Sequence, residues 1–277
     1  MATARTPVER FETSRPLTAR SVLATALLGA PNGRLPVGHL VQAGRLLGIA
    51  DGAVRTRLSH MVANGELTTD AGVYQLSGAL AERQLDVDGA VRPRPPDSNW
   101  DETWEIAVVR AGSRTASQRH ELRAAATRLR LGALRDGCWA RPSNLERDRH
   151  TSARAILSQQ CLTFHGAIAD VTAADVEQAF GLIDWAVEAR RLDAAIEADS
   201  AGVISQPEPT RMRDRFLLLI AAARHLRADP MLPEPLLPHD WPGEALRGAY
   251  YRLTQDLREH LEDAVKSDGS ADSRTLE

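Results

Sequence analysis

Three successive helical periods closed by a short hairpin, then a β-α-β-β-α-β alternation, then a long helical end predict an α+β, multidomain protein. Along the chain, the reading is an N-terminal winged helix-turn-helix over residues 16–86 and a linker over 87–99. A ferredoxin-like middle domain follows over 100–172, and an α-helical C-terminal domain over 173–265.

Each element has a local reason. Residues 1–15 are polar and without period, and read as disordered. Val22, Leu23, Ala26 and Leu27 recur at helical spacing within Leu17 to Leu28. GAPNGR breaks the period, and Pro36 suits the first turn of a second helix with Val37, Leu40, Val41 and Leu47 on one face. Asp51 is a suitable cap for a third helix that Asn64-Gly65 stops. Leu67 to Leu76 reads as a hairpin turning at Asp70-Ala71-Gly72, with a further short helix over Ala79 to Leu85. The run DVDGAVRPRPPDSN is rich in proline and polar residues and reads as the linker. Strands are expected at Trp104 to Val109, Ala133 to Arg135, Cys138 to Arg141 and Cys161 to Ile168. Helices are expected near Gln118 to Leu131 and Ser152 to Gln159. Beyond Ala173 the period is helical, interrupted by Pro207, Pro209 and the run DPMLPEPLLPHDWPG, which reads as a strap packing its leucines and Trp241 across the last helices.

Composition narrows the function classes. No apolar run approaches the ~18 residues of a membrane span. The two cysteines, Cys138 and Cys161, form no CxxC pair or disulfide framework, so a cytoplasmic setting is expected. The net charge of -3 hides an asymmetry: residues 15–83 carry 7 Arg against 4 acids, whereas residues 171–277 carry 12 basic against 20 acidic residues. A basic start and an acidic end would orient the protein on a polyanion, though a solvated helical surface accounts equally for the acidic end. No GxSxG, P-loop, GxGxxG or HExxH pattern is present, so no enzymatic activity and no cofactor or metal are expected.

The third helix carries the strongest functional pattern. On a wheel, Val54, Leu58, Met61 and Val62 share one face, and Gly52, Thr56, Ser59, His60 and Ala63 share the other, flanked by Arg55 and Arg57. Small and hydrogen-bonding side chains admit close approach to base edges, and flanking arginines reach guanines or phosphates. Gly52, Arg55, Thr56, Arg57, Ser59 and His60 are therefore the DNA-binding candidates, joined by Thr69 in the hairpin. A plain packing unit, or a protein-interaction or architectural winged helix without effector control, fits the same pattern.

Three stretches resemble a known family. They are SVLATALLGAPNGRLP with LGIADGAVRTRLSHMVANGEL and GVYQLS; WDETWEIAVV with LRLGALRDGCWARPSNL; and RFLLLIAAARHLRADPMLPEPLLPHDWPGEALRGAYYRL. Together they resemble the PaaX family of phenylacetate-catabolism repressors over Leu17 to Leu261. The resemblance implies a homodimeric transcriptional repressor of a catabolic operon that binds double-stranded operator DNA. It also implies release by a small-molecule effector, an acyl-CoA or related aromatic metabolite. The middle domain also resembles small CRISPR-associated nucleases, which place a metal-binding aspartate at the end of their first strand. Here that strand ends Val109-Arg110-Ala111, without an acid, which favours a dimerising scaffold. An apolar effector with phosphates calls for tryptophan and arginine. Trp104 and Trp139, on strands that would share a surface, and Arg110, Arg119, Arg123 and Arg141 are the candidates, against a default of core tryptophans and solvated arginines.

Overall fold

The computed structural model describes residues 17–92, 100–145, 150–202 and 208–274; the readings for residues 1–15, 93–99 and Pro207 fall outside these. Two compact units emerge. The first comprises Met1–Pro93, Ala189–Arg227 and Gly243–Glu277, and the second Arg94–Glu188 and Ala228–Pro242.

In the first unit, α1 (Ala19–Leu28) starts at Thr18, whose hydroxyl accepts from the Ser21 backbone while the Ser21 side chain returns the bond, a capping box. Then come β1 (Arg34–Pro36), α2 (Val37–Leu46), α3 (Asp51–Ala63), β2 (Leu67–Asp70), β3 (Val73–Leu76) and α4 (Gly78–Val91). The strands form an antiparallel sheet in the order β1-β3-β2, completing a winged-helix arrangement. Strand β1 is absent from the sequence reading because three residues are too few to show alternation; Pro36 ends it and is the N-cap of α2 rather than part of its first turn. The β2–β3 turn is a two-residue loop with both central residues left-handed, Ala71 at φ 46° and Gly72 at φ 76°, matching the twist of a tight hairpin.

The core of this winged helix gathers Leu23, Leu27, Leu40, Val54, Leu58 and Met61. Its tightest point is Gly44 on α2. A β-carbon there would lie 2.4 Å from Val54 Cγ2, so only glycine lets α3 seat this closely.

The helical end of the chain splits between the units. The division falls at Glu188/Ala189, within α8 (Leu182–Ser200). The rest of α8, with α9 (Glu208–Arg227) and α10 (Gly243–Arg274), folds with the winged helix, where α9 packs on α4 and α10 on α2. Compact units therefore do not divide at the expected positions 86/87 and 172/173. Helix α4 runs through the start of the expected linker because Val87 and Ala90 prolong its buried stripe. Buried arginines fasten these helices. Arg247, 3% exposed, donates from Nε to the Ala90 carbonyl at the end of α4 (2.9 Å) and pairs with Glu244. Arg215 on α9 joins Asp199 on α8 (2.8 Å) to Asp256 on α10 (3.1 Å).

The second unit contains β4 (Trp104–Val109), α5 (Ala116–Arg128), β5 (Gly132–Arg135), β6 (Cys138–Pro142), α6 (Thr151–Gln160), β7 (Cys161–Gly166) and α7 (Ala173–Phe180). The antiparallel order β5-β6-β4-β7 is the ferredoxin-like split arrangement. Helices α5 and α6 cover one face through Ala107, Leu122, Ala125, Leu157 and Cys161. The other face carries Trp104 and Ala140 beneath Val176, Leu182 and Leu232. The proline-rich strap packs here through Leu232, Leu236, Leu237 and Trp241, not across the last helices as the sequence suggests. Trp241 stacks on Trp185 at 4.5 Å between centroids.

The Gly44 contact yields a stability prediction. Gly44→Ala should lower the unfolding free energy by about 1–2 kcal/mol in urea titration, since overpacking outweighs the gain in helix propensity. In a Val54→Ala background the same substitution should cost far less.

Candidate nucleic-acid interface

Helix α3 is amphipathic by burial. Val54 and Leu58 are fully buried and Met61 is nearly so, while Val62 is half-buried against the same cluster. That packing fixes the rotation of the helix. Gly52, Arg55, Thr56, Arg57, Ser59 and His60 are all exposed, as are Ala53 and Ala63. Ser59 donates to the Arg55 carbonyl at 3.1 Å, which holds its hydroxyl close to the helix. The outer face is therefore a small-residue strip bordered by two arginines, whose width and chemistry suit a major groove.

The acids near this strip are neutralised. Asp51 does not cap α3: Ala50 is the N-cap residue, without a side-chain bond, and Asp51 opens the helix. Its carboxylate is gripped from α2 by Arg45, with Nε to Oδ1 at 2.8 Å and the second nitrogen to Oδ2 at 2.6 Å. This bond to Arg45 holds the Asp51 carboxyl below its ordinary pKa. At the other end of α3, Arg20 from α1 clasps Glu66 with contacts of 2.9 to 3.1 Å. Each pair replaces a net negative charge beside the strip with a neutral, geometrically fixed fork. The Arg45 pair ties α3 to α2, and the Arg20 pair ties the segment that follows α3 to α1.

The hairpin contributes a second polar surface. Register places Arg34 on β1, Gln75 on β3 and Thr68 on β2 in one row, all exposed. Arg34 escapes sequence reading because its strand does; the register alone puts it beside the wing. Thr69 is exposed too, but it pairs with Tyr74 on the opposite side of the sheet, the side that carries buried Leu67 and Leu76. Asp70 is exposed at the turn.

The effector candidates separate. Trp104 and Trp139 lie on opposite faces of the four-stranded sheet: Trp104 packs with Ala140 and Val176, whereas Trp139 pairs with Ala107 on the side of α5 and α6. The odd spacing between Trp104 and Ala107 along β4 forces this, correcting the idea that the two rings share a surface. Arg141 is 2% exposed and its guanidinium is spent internally, on the Pro142 and Leu129 carbonyls (2.9 and 3.1 Å) and on Asn144 Oδ1 (2.8 Å). It closes the end of α5 and is not presented to a ligand. Arg110, Arg119 and Arg123 are exposed, with Arg119 bonded to the Arg114 carbonyl at 2.6 Å. Among the described residues, no cluster of three or more His, Cys, Asp or Glu side chains is placed to hold a metal, and no helix is long and apolar enough to cross a membrane.

Comparison with known proteins locates two family matches. Residues 97–178 match the model of the PaaX protein central Cas2-like domain, and residues 186–267 match that of the PaaX-like protein C-terminal domain. Among solved structures, uncharacterized protein Rv0674 from Mycobacterium tuberculosis is similar at 33% identity and a TM-score of 0.70, covering 89% of this chain and 98% of its own. No curated protein matches.

The Arg45–Asp51 fork predicts a pH signature. Because folding lowers the Asp51 pKa, the pair stabilises fully above the unfolded carboxylate value of about 3.9 and is lost as pH falls through the lower folded value. Thermal unfolding followed from pH 6 to pH 2 should show a shallower acid decline for Asp51→Asn than for the wild-type chain.

Proposed function

The chain belongs to the PaaX family of transcriptional regulators, and on that premise we propose that it is a DNA-binding repressor of a catabolic operon released by a small-molecule effector, with a CoA thioester the favoured class. The observation that carries DNA binding is the exposed strip of α3. Its apolar side is locked into the core, its polar side is bordered by Arg55 and Arg57, and its flanking acids are neutralised by Arg45 and Arg20. The strip enters the major groove, its small residues approach base edges, and the arginines fix register on guanines or phosphates. Arg34 and Gln75 of the wing sheet reach the adjoining backbone. The family is one of regulators rather than enzymes, and the protein acts on cytoplasmic DNA without catalysis.

A palindromic operator requires two strips, and hence a homodimer. Strand β7 supports one. It ends the four-stranded sheet, and it exposes Leu162 (44%) and Phe164 (53%) without a charge or proline to guard the edge. Two such edges pair antiparallel about a two-fold axis. Effector binding then favours a state whose half-site spacing no longer fits the duplex, a coupling of about 1–3 kcal/mol.

Two measurements test this reading. On a duplex selected from a random pool, Arg55→Ala and Arg57→Ala should each weaken binding by roughly 5- to 150-fold with unchanged melting temperature. A phosphate-contacting arginine should also reduce the salt slope by about one. Equal affinity for both variants would leave α3 as a protein-interaction surface. By sedimentation, Phe164→Glu should convert a dimer to a monomer; a persistent dimer would place the interface elsewhere.

A further inference from the structure

The second unit has two electrically distinct faces. One side of its sheet is covered by α5 and α6, the other by α7, the start of α8 and the proline-rich strap. Along the first layer, residues 110–128 and 151–160 carry Arg110, Arg114, Arg119, Arg123, Arg128 and Arg154 against a single acid, Glu121. Along the second, residues 167–188 carry five acids and residues 228–242 three, with no arginine or lysine in either. Glu105, the acid of β4 beneath the first layer, is buried and already paired with Arg154.

The arginines of the first layer are open to solvent. Arg110, Arg119 and Arg123 are exposed and Arg114 is half-buried, and none of the four meets a carboxylate within ion-pair distance among the described residues. Arg119 donates to the Arg114 carbonyl at 2.6 Å, and the Arg110 backbone N–H donates to the Gln160 carbonyl at 3.0 Å, so the β4–α5 connection is held against both helices. Arg119 and Arg123 stand one turn apart on α5, and Ser117, Ala124 and Thr127 around them are small and exposed. The N-terminus of α5, closed by the Thr115 capping box, adds the positive end of the helix dipole at the same edge.

A solvated arginine face is the ordinary fate of charged helix residues, but such faces intersperse both signs. Here the acids lie on the opposite side of the sheet, and a unit with this polarity turns one side toward a polyanion and the other away. The arginines stand on the outside of helices, where an extended ligand touches several at once. Pairing of β7 edges doubles the surface. The two-fold axis relating antiparallel edge strands runs perpendicular to the sheet, so the α5/α6 layers of both protomers lie on one side.

We propose that the α5/α6 layer is a second duplex-binding surface, gripping the phosphate backbone of DNA without reading its sequence. It adds to the α3 strip and does not depend on it: the layer supplies affinity, the strip sequence preference. Arg110, Arg119 and Arg123 then serve the duplex rather than an effector.

The test is a salt titration of the full chain on two duplexes of equal length, one selected from a random pool and one with that sequence scrambled. Each phosphate contact contributes about 0.9 to the slope of log affinity against log salt. The triple variant Arg110→Gln, Arg119→Gln, Arg123→Gln should therefore lower the slope by about 2.7 on both duplexes. Between about 50 and 200 mM salt, the wild-type chain then loses roughly 40-fold more affinity than the variant. The preference for the selected duplex should stay unchanged. Glu121→Gln removes the layer's acid and keeps an acceptor for the Ser117 hydroxyl; it should steepen the slope, and it serves where the triple variant melts early. Equal slopes for the wild-type chain and these variants overturn the proposal and leave the α3 reading standing. A triple variant that loses its preference for the selected duplex places these arginines in base reading and overturns it too. Saturable binding of coenzyme A, measured by calorimetry and abolished in the triple variant, would assign the layer to a small phosphate ligand instead. A lowered slope in a chain indifferent to Arg55→Ala and Arg57→Ala refutes the α3 reading and leaves this surface standing.

Discussion

The seating of α3 is the constraint on which the rest depends. Val54, Leu58 and Met61 enter the winged-helix core, and Gly44 removes the one β-carbon that would hold Val54 away from α2. Once those three side chains are buried, helical periodicity leaves no choice about the remaining positions: Arg55, Thr56, Arg57, Ser59 and His60 face out. The functional surface is thus the complement of a packing solution. The Arg45–Asp51 and Arg20–Glu66 forks serve the same end from outside, pinning the helix to its neighbours and cancelling the carboxylates nearest the strip. As exposed pairs they add little to stability, so their effect on the local field is the more consequential role.

The C-terminal helices belong to the winged-helix unit rather than forming an appendage. Arg247 supplies a donor to the end of α4, and Arg215 bridges acids on α8 and α10; each satisfies groups that burial would otherwise leave costly. Helix α8 carries the chain from the second unit into the unit that holds the α3 strip.

Much of this was legible in the amino-acid order. The apolar spacing of Val54, Leu58 and Met61 gave the exposed face of α3, and the β-α-β-β-α-β alternation gave the sheet. Less accessible were features that depend on contacts distant in sequence. Strand β1 exists only because β3 pairs with it. Helix α4 outlasts the polar composition of DVDGAV because Val87 and Ala90 are buried in a helix that packs on α9 and whose end Arg247 of α10 closes. The inward turn of Arg141 reflects carbonyls at Leu129 and Pro142 that no local pattern announces. Trp104 and Trp139 were separable in principle, since an odd offset between Trp104 and the partner of Trp139 on β4 places them on opposite faces, but only once the register is known.

The most direct measurement of the central claim is duplex-dependent protection of single cysteines. Both native cysteines are buried, so Thr56→Cys, Ser59→Cys and, on the exposed side of α7, Ala174→Cys report separately on maleimide labelling. If the outer face of α3 lies in the groove, saturating duplex slows labelling strongly at positions 56 and 59 and leaves position 174 unchanged. Unaltered labelling at 56 and 59 while duplex is demonstrably bound would contradict the account.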